Sequence, residues 1–186
     1  MTRPLLPIGI TGWSWVGALG SEYWLSTGQQ EDQGQTGARL RELLQLGGLK
    51  SHKGELGIPG ASGKCPIELP ALIKSLAQYD SRCARLLAFA LDPLVEAVHS
   101  ACRKYGADRV GIVLASSTGG IDATETFLAE RKRGTTSPDY QFQKTHPHHA
   151  LLNIVRGLTR ARGPAVIVST ACSSAAKALG SAQRLI

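Results

Sequence analysis

Two short apolar runs rich in β-branched residues constrain the fold of this chain most strongly. They lie within Arg109–Ala115 and Ala165–Thr170, and each is followed by a turn of small residues. A run that is apolar at nearly every position is typical of a strand covered on both faces, as in parallel sheets. Because helical patterns lie between and after these strands, the sequence predicts an α/β fold with a largely parallel sheet.

The clearest helical pattern extends from Ser81 to Tyr105, where apolar residues recur with the helical period. Asp80 or Ser81 can cap its start, and Gly106 ends it. Pro93 removes one backbone hydrogen bond, which predicts a kink or two abutting helices. Further helices are predicted over three segments: 122–132, 150–160 and 171–186. The last of them has four apolar residues on one face: Ala175, Leu179, Ala182 and Ile186.

The first third of the chain is rich in glycine and yields shorter elements. Pro7–Gly12 predicts a short buried strand, and Ser21–Ser26 predicts a short amphipathic helix. The polar, glycine-rich segment Gly28–Gly37 predicts a mobile loop. A short strand is expected near Glu55–Ile58, within a stretch that is otherwise rich in turns.

The net charge of +7, from 21 basic and 14 acidic residues, favours an acidic partner such as nucleic acid, an anionic membrane or an acidic protein. The basic residues are dispersed, and only 5% of residues are aromatic, which argues against a platform for stacking bases. No apolar run approaches the ~18 residues of a membrane helix, and the start lacks the pattern of a signal peptide. We therefore expect a cytoplasmic protein that binds neither nucleic acid nor membrane.

The sequence shows no pattern for a metal or cofactor. Its four cysteines include no C-x-x-C pair, and no cysteine–histidine cluster has zinc-finger spacing. There is no G-x-G-x-x-G and no P-loop, so neither a nucleotide nor any other cofactor is expected. Cys83 and Cys102 lie in the pattern of the long helix and are interpreted as small core residues.

Cys172 lies in a different setting, directly after the second predicted strand and at the start of a helix. The backbone N–H groups and the positive end of a helix lower the pKa of a thiol at that position. Small neighbours over Thr170–Ala175 leave room for an acyl group, and the same N–H groups could face an oxyanion. The alternative is a small packed cysteine at a strand–helix junction, and the residues alone leave both open.

The stretch Gly163–Ser174 resembles the active-site stretch of β-ketoacyl synthases, the condensing enzymes of fatty-acid and polyketide assembly. Three earlier stretches of the chain also resemble the family, and they occur in the family's order. Ile8–Gly12 resembles the opening strand, Tyr79–Gly106 the long helix, and Arg109–Gly120 the strand and glycine turn before the acyl pocket. Only the glycine-rich region from about 28 to 76 lacks this resemblance, and it is interpreted as a variable insertion.

The resemblance implies a thiolase-like fold of two similar α/β halves, with a mixed, mostly parallel sheet and helices on both faces. Residues 1–186 correspond to an incomplete N-terminal synthase domain that ends inside the helix after the nucleophile. The family's two catalytic histidines and its Gly-Phe-Gly gate belong to the second half. The five histidines here match neither motif, and 145–149 is interpreted as a polar loop: His52, His99, His146, His148 and His149. We therefore expect this chain alone not to catalyse condensation.

The resemblance assigns the role of nucleophile to Cys172, whose backbone N–H would also be an oxyanion donor. The cysteine would take an acyl group from an acyl carrier protein, and decarboxylated malonyl carrier protein would then attack the acyl-enzyme. Thr118, on the glycine turn, would lie near the bottom of the acyl pocket, although an ordinary turn residue is an equal alternative.

Three partners follow from the same resemblance: an acidic acyl carrier protein, the missing C-terminal half, and a second subunit in a homodimer or heterodimer. The net positive charge suits an acidic carrier protein. The strand Ala165–Thr170 resembles the one that pairs across the dimer axis in these enzymes, so self-association is expected.

Two alternative functions stay open within the same fold. One is a non-catalytic partner comparable to a chain-length factor, and the other is a structural half that only completes a dimer. Cys172 argues against the first, since such partners usually lack the nucleophile. A basic nucleic-acid binder is a third alternative, which would require salt-dependent retention on DNA or RNA.

Overall fold

The computed structural model describes residues 9–17, 20–26, 50–53, 59–62, 65, 67–135 and 140–186. The chain divides into two compact units. The hairpin unit lies within Ile10–Glu68, and the α/β unit contains Leu69–Ile186. The candidate site lies entirely in the α/β unit.

The hairpin unit contains two antiparallel strand pairs. Strand β1 (Gly12–Gly17) pairs with β2 (Gly20–Leu25), and β3 (Lys50–Lys53) pairs with β4 (Pro59–Ser62). The helix predicted over Ser21–Ser26 is therefore wrong. Aromatic and β-branched residues of both segments favour strands, and pairing with β1 satisfies the backbone of β2.

The strand predicted over Pro7–Gly12 is also wrong where the structure describes it. Gly9, Ile10 and Thr11 precede β1 without strand structure, and Ile10 is 70% exposed. Two other predictions lie outside the described residues: the loop over Gly28–Gly37 and the strand near Glu55–Ile58.

The α/β unit begins with a 3₁₀ helix, Lys74–Tyr79, and continues through α1 (Arg82–Leu91) and α2 (Val95–Tyr105). Its remaining elements, in chain order, are β5 (Ile112–Ala115), α3 (Ile121–Lys132), α4 (Phe142–Thr145), α5 (His149–Thr159), β6 (Ala165–Val168) and α6 (Ser174–Leu185). This order confirms the predicted alternation of helices and strands. The segment 145–149, predicted as a polar loop, instead contains the end of α4 and the start of α5.

The break predicted at Pro93 is confirmed. A 3₁₀ turn, Asp92–Leu94, separates α1 from α2. The Ala84 N–H donates to Ser81 Oγ over 3.0 Å, which caps α1, and Gly106 ends α2 with a φ of +93°. Ser81, Pro93 and Gly106 each begin, interrupt or end a helix through backbone groups within one turn of themselves.

The two predicted strands pair in parallel, with Ile112 opposite Ala165 and Ala115 opposite Val168. Two clusters of buried residues pack beside this pair, one around Ile154 of α5 and the other around Ile112. The prediction that both faces are covered is wrong for β6, because Val166 is 43% exposed. Successive strand residues point to opposite faces, and Ala165 and Ile167, on the other face from Val166, pack against the core clusters.

Helix α6 buries a different side from the apolar face that its sequence shows. Ser174 and Ala178 are buried, whereas Leu179 is 68% exposed and Ile186 is 92% exposed. The apolar face is therefore open to solvent in the described part of the chain.

Candidate active site

The candidate site is formed by two turns at the carboxyl ends of the parallel strands. The glycine turn, Ser116–Gly120, joins β5 to α3, and the cysteine turn, Ser169–Ser173, joins β6 to α6. The Ser116 N–H donates to the Val168 carbonyl over 3.2 Å, so the ladder of the strand pair continues to the start of the first turn. Functional groups in parallel sheets concentrate at this end of the strands.

The cysteine turn presents Cys172 to solvent. A 3₁₀ turn over Ala171–Ser173 leads directly into α6, and Cys172 is its exposed middle residue. Ala171 has a φ of +50°, in the left-handed region. That conformation costs a residue with a Cβ about 1–2 kcal/mol. A strained residue beside a nucleophile in a strand–turn–helix junction is typical of nucleophile elbows.

Hydroxyl groups hold this strained turn. Ser174 Oγ accepts from the Thr170 N–H over 2.8 Å and donates to the Ala171 carbonyl over 2.7 Å. Ser173 Oγ donates to the Thr170 carbonyl over 2.9 Å. Ser117 Oγ, from the glycine turn, donates to the same Ala171 carbonyl over 3.3 Å. The two turns are thus in direct contact through the residue before Cys172.

The glycine turn is held by close packing and by Ser116 Oγ, which accepts from the Gly119 N–H over 3.0 Å. Gly119 has a φ of +58°, and a Cβ placed on it would lie 2.6 Å from the His146 carbonyl oxygen. A Cβ on Gly120 would collide with the Thr145 carbonyl, and the Gly120 N–H donates to the His146 carbonyl over 3.3 Å. Thr118 is exposed on this turn.

The segment under the glycine turn is attached to α3. Thr124 Oγ1 lies 2.6 Å from Tyr140 Oη and 2.8 Å from His146 Nδ1. Tyr140 stacks on Phe127 with ring centroids 4.5 Å apart. This contact network positions the carbonyl groups on which the two glycines pack.

The next histidine reaches the cysteine turn. His148 Nε2 lies 3.3 Å from Ser169 Oγ, at the start of that turn. The segment 145–148 therefore contacts both turns, a supporting role that the sequence analysis missed. Its only signal in the sequence is Pro147 between two histidines, which does not indicate what the segment packs against.

Comparison with known proteins bears directly on this arrangement. The family model described as "Beta-ketoacyl synthase, N-terminal domain" matches residues 74–186, which include both turns. The chain belongs to the β-ketoacyl synthase family. The resemblance inferred from sequence is therefore confirmed, and the family is one of condensing acyltransferases.

Solved structures agree with this family. A ketosynthase structure, ApeO in complex with its chain length factor ApeC from Xenorhabdus doucetiae, matches with 27% identity and a TM-score of 0.71. The alignment covers 94% of this chain and 42% of that chain. A β-ketoacyl synthase from Burkholderia phymatum STM815 matches with 19% identity and a TM-score of 0.63, again over 94% and 42%.

These matches confirm the thiolase-like α/β fold. The synthase chain spans less than half the length of the structures that it matches. A comparison with curated protein sequences yields no match.

The four cysteines of the synthase chain differ in exposure. Cys172 is exposed, whereas Cys65, Cys83 and Cys102 are half-buried. Burial, and secondly the negative charge of Asp122, raise the pKa of the Cys83 thiol above its ordinary value. Cys102 Sγ lies 3.9 Å from the Thr159 carbonyl oxygen, and both helix cysteines pack against the core clusters.

Within the described ranges, no three side chains of histidine, cysteine, aspartate or glutamate form a group that could hold a metal ion. Among those same residues, no helix is long and apolar enough to cross a membrane.

Proposed function

We propose that this chain is the nucleophile-bearing part of a 3-oxoacyl-[acyl carrier protein] synthase. The observation that carries the proposal is the exposed Cys172, held on a strained turn at the carboxyl end of β6. Family membership supports the reaction class, and the position of the cysteine supports its role as the attacking group.

In the proposed first step, the Cys172 thiolate attacks the carbonyl carbon of an acyl thioester on a carrier protein. The tetrahedral oxyanion forms beside the backbone N–H of Cys172, and the thiolate of the carrier's prosthetic arm then leaves. The product is an acyl-cysteine. The thiol proton leaves Cys172 before attack and is available to the departing carrier thiolate.

In the second step, malonyl carrier protein loses CO₂, and its carbanion attacks the acyl-cysteine carbonyl. A carbon–carbon bond forms, the Cys172–carbonyl bond breaks, and the 3-oxoacyl chain is two carbons longer. We propose that this step needs groups outside the present chain, since its histidines match no catalytic motif of the family. The purified chain should therefore form an acyl-enzyme and yield no 3-oxoacyl product.

Thr118 is proposed to contact the acyl group. It is exposed on the glycine turn, and its neighbour Ser117 contacts the residue before Cys172. A side chain at this position is near enough to the cysteine turn to affect how an acyl chain lies.

The proposed partners are an acidic carrier protein and a second synthase-like subunit. The net charge of +7 supports the first. The second is supported by the exposed Val166 of β6, and by the matched ketosynthase whose structure contains its chain length factor. We also propose that residues 28–76 are a variable insertion within the N-terminal synthase domain, 1–186; of this range, the family model leaves residues 28–73 unmatched.

The deciding experiment is acyl transfer to the full chain. The chain is incubated with a short acyl thioester, and the adduct is located by peptide mass mapping. We expect an acyl group on Cys172, none after Cys172→Ala, and an unchanged adduct after the control change Cys65→Ala.

An adduct on another cysteine, or none at all, would contradict the proposal. That result would favour the second candidate, a non-catalytic partner subunit similar to a chain-length factor. The ketosynthase–chain length factor complex among the matched structures is the observation that keeps this candidate in view.

A further inference from the structure

One hydrogen bond joins the two turns at a point that the proposed reaction does not itself use. Ser117 Oγ donates to the Ala171 carbonyl over 3.3 Å, across 54 residues of sequence. The same carbonyl accepts from Ser174 Oγ over 2.7 Å. Two hydroxyl groups, one from the glycine turn and one from the first residue of α6, thus converge on a single backbone oxygen.

That oxygen is part of the peptide unit that contains the Cys172 N–H. A peptide unit is planar and trans, so the Ala171 carbonyl and the Cys172 N–H point in opposite directions from one rigid plane. Fixing the oxygen therefore fixes the direction of the N–H. A carbonyl that accepts hydrogen bonds also makes its own peptide N–H a stronger donor.

The plane needs such support because Ala171 is left-handed, with a φ of +50°. A residue in that region stays there only when its surroundings hold it. Ser174 is buried and also accepts from the Thr170 N–H, so its hydroxyl has a second role in the turn. Ser117 is exposed, and the Ala171 carbonyl is its hydroxyl's partner among the described residues.

We propose that Ser117 is a positioning residue that orients the Cys172 N–H as oxyanion donor through the Ala171 carbonyl. This inference rests on the proposed function. It assigns to the glycine turn a contribution to catalysis at Cys172 that is separate from the acyl-pocket role of Thr118.

The test uses two reactions of the same thiol. Transfer from an acyl thioester passes through an oxyanion, whereas alkylation by iodoacetamide displaces iodide and forms none. We expect Ser117→Ala to slow acylation of Cys172 by about two- to tenfold, the effect of one hydrogen bond. Alkylation of Cys172 and the thermal midpoint should not change.

Three further variants complete the experiment. Ser117→Thr keeps the hydroxyl and should restore acylation to the rate of the unsubstituted chain. Ser117→Gly removes the hydroxyl without leaving a side chain and should behave as Ser117→Ala. Ser100→Ala, an exposed serine on α2, is the matched control and should change neither rate.

Each outcome has one meaning. Equal acylation of the unsubstituted chain and both hydroxyl-free variants would overturn the positioning role and leave the proposed function intact. Equal slowing of acylation and alkylation would also overturn it, since access to the thiol would then be the cause. If the unsubstituted chain is not acylated at all, the proposed function fails, and this assignment fails with it.

Discussion

The glycine turn and the cysteine turn occupy equivalent places at the ends of neighbouring parallel strands, and each contains a left-handed residue. In the glycine turn that residue is Gly119, which lies against the backbone of His146 and His148. In the cysteine turn it is Ala171, which is exposed and accepts hydrogen bonds from two serine hydroxyls. Close packing and the Ser116 hydroxyl hold the glycine turn, whereas serine hydroxyl groups hold the exposed cysteine turn.

The difference follows from what each turn must leave open. Close packing can hold a backbone only where other groups cover it, and there only glycine has room. A turn that presents a nucleophile, the role we propose for Cys172, cannot be covered, so its strained backbone has to be held from the side. Hydroxyl groups of neighbouring small residues do this without blocking the approach to Cys172.

The sharpest test of packing in the glycine turn is Gly120→Ala. The added methyl would collide with the Thr145 carbonyl, a backbone group that cannot easily move. We expect the free energy of unfolding to fall by about 1–3 kcal/mol or more, measured by urea denaturation.

The matched control for this change is Gly180→Ala in α6. An added Cβ there meets only the end of the Arg184 side chain, 3.8 Å away. We expect a gain of about 0.5–1 kcal/mol, because alanine favours a helix over glycine. Equal changes in the free energy of unfolding at Gly120 and Gly180 would show that the glycine turn is not closely packed.

Exposure of the cysteine turn predicts an order of thiol reactivity. We expect iodoacetamide at neutral pH to alkylate Cys172 faster than Cys83, since burial restricts access to the Cys83 thiol and its raised pKa lowers its thiolate fraction. Cys65 and Cys102 are half-buried and should also react more slowly than Cys172.

A time course with peptide mapping gives the four rates. Cys172→Ser serves as the control and should leave the rate at Cys83 unchanged. If Cys172 proves the slowest of the four, its assignment as the nucleophile is wrong.

A smaller change in the free energy of unfolding is expected when the strain in the cysteine turn is removed. Ala171→Gly relieves about 1–2 kcal/mol of left-handed strain in the folded state. The greater flexibility of glycine also stabilises the unfolded chain by about 0.4–1 kcal/mol, which offsets part of this gain. The net gain in stability should lie between about 0 and about 1.6 kcal/mol. Acylation of Cys172 should slow, because a glycine holds the peptide plane less firmly.

Arg160→Gly is the comparison for this change. Among the described residues, Arg160 and Ala171 are the two non-glycine residues with a positive φ. Arg160 has a φ of +60° and lies at the end of α5. Its replacement should give a similar gain in stability without changing acylation. A loss of stability at Ala171→Gly would contradict the claim that this backbone is strained.

The smallest effect concerns the pH dependence of stability and the thiol of Cys83, which packs against the core cluster around Ile154 and interacts with the charge of Asp122. The pKa of this thiol is raised above its ordinary 9.0. Above that pH the unfolded chain loses the proton first, so the folded state binds more protons and its stability falls as pH rises. Cys83 thus contributes stability that is fully present below about pH 9 and is lost as the pH passes its raised pKa.

Thermal unfolding of the chain and of Cys83→Ala, from about pH 8 to about pH 10, tests whether the stability contributed by Cys83 falls as the pH rises. We expect the difference between their midpoints to narrow as pH rises. A constant difference would mean that Cys83 titrates alike in the folded and unfolded states.

Predictions from sequence succeeded where the determining chemistry is local. Ser81, Pro93 and Gly106 each act within one turn of their own helix, so the boundaries and the break could be inferred from sequence. The strand β2 could not be inferred, because its pairing with β1 is a property of two segments together.

The same limit applies to the candidate site. Cys172 was inferred from a local strand–turn–helix pattern. The contact of Ser117 with the Ala171 carbonyl depends on the register of β5 against β6, which no local window contains. The apolar face of α6 was visible in the sequence, but its exposure, 68% at Leu179, depends on what packs nearby.

The pairing of β5 with β6 also has a consequence for how the chain folds. The hydrogen bond that joins the two turns closes a loop of 54 residues, whereas β1 and β2 meet through neighbours in sequence such as Gly17 and Gly20. Distant contacts form late, because the entropy of loop closure must be overcome before they contribute any energy. We expect a refolding chain to recover its helical circular dichroism first and the acyl-accepting state of Cys172 only afterwards. The acyl transfer that we propose for Cys172 should therefore depend on the last contacts to form.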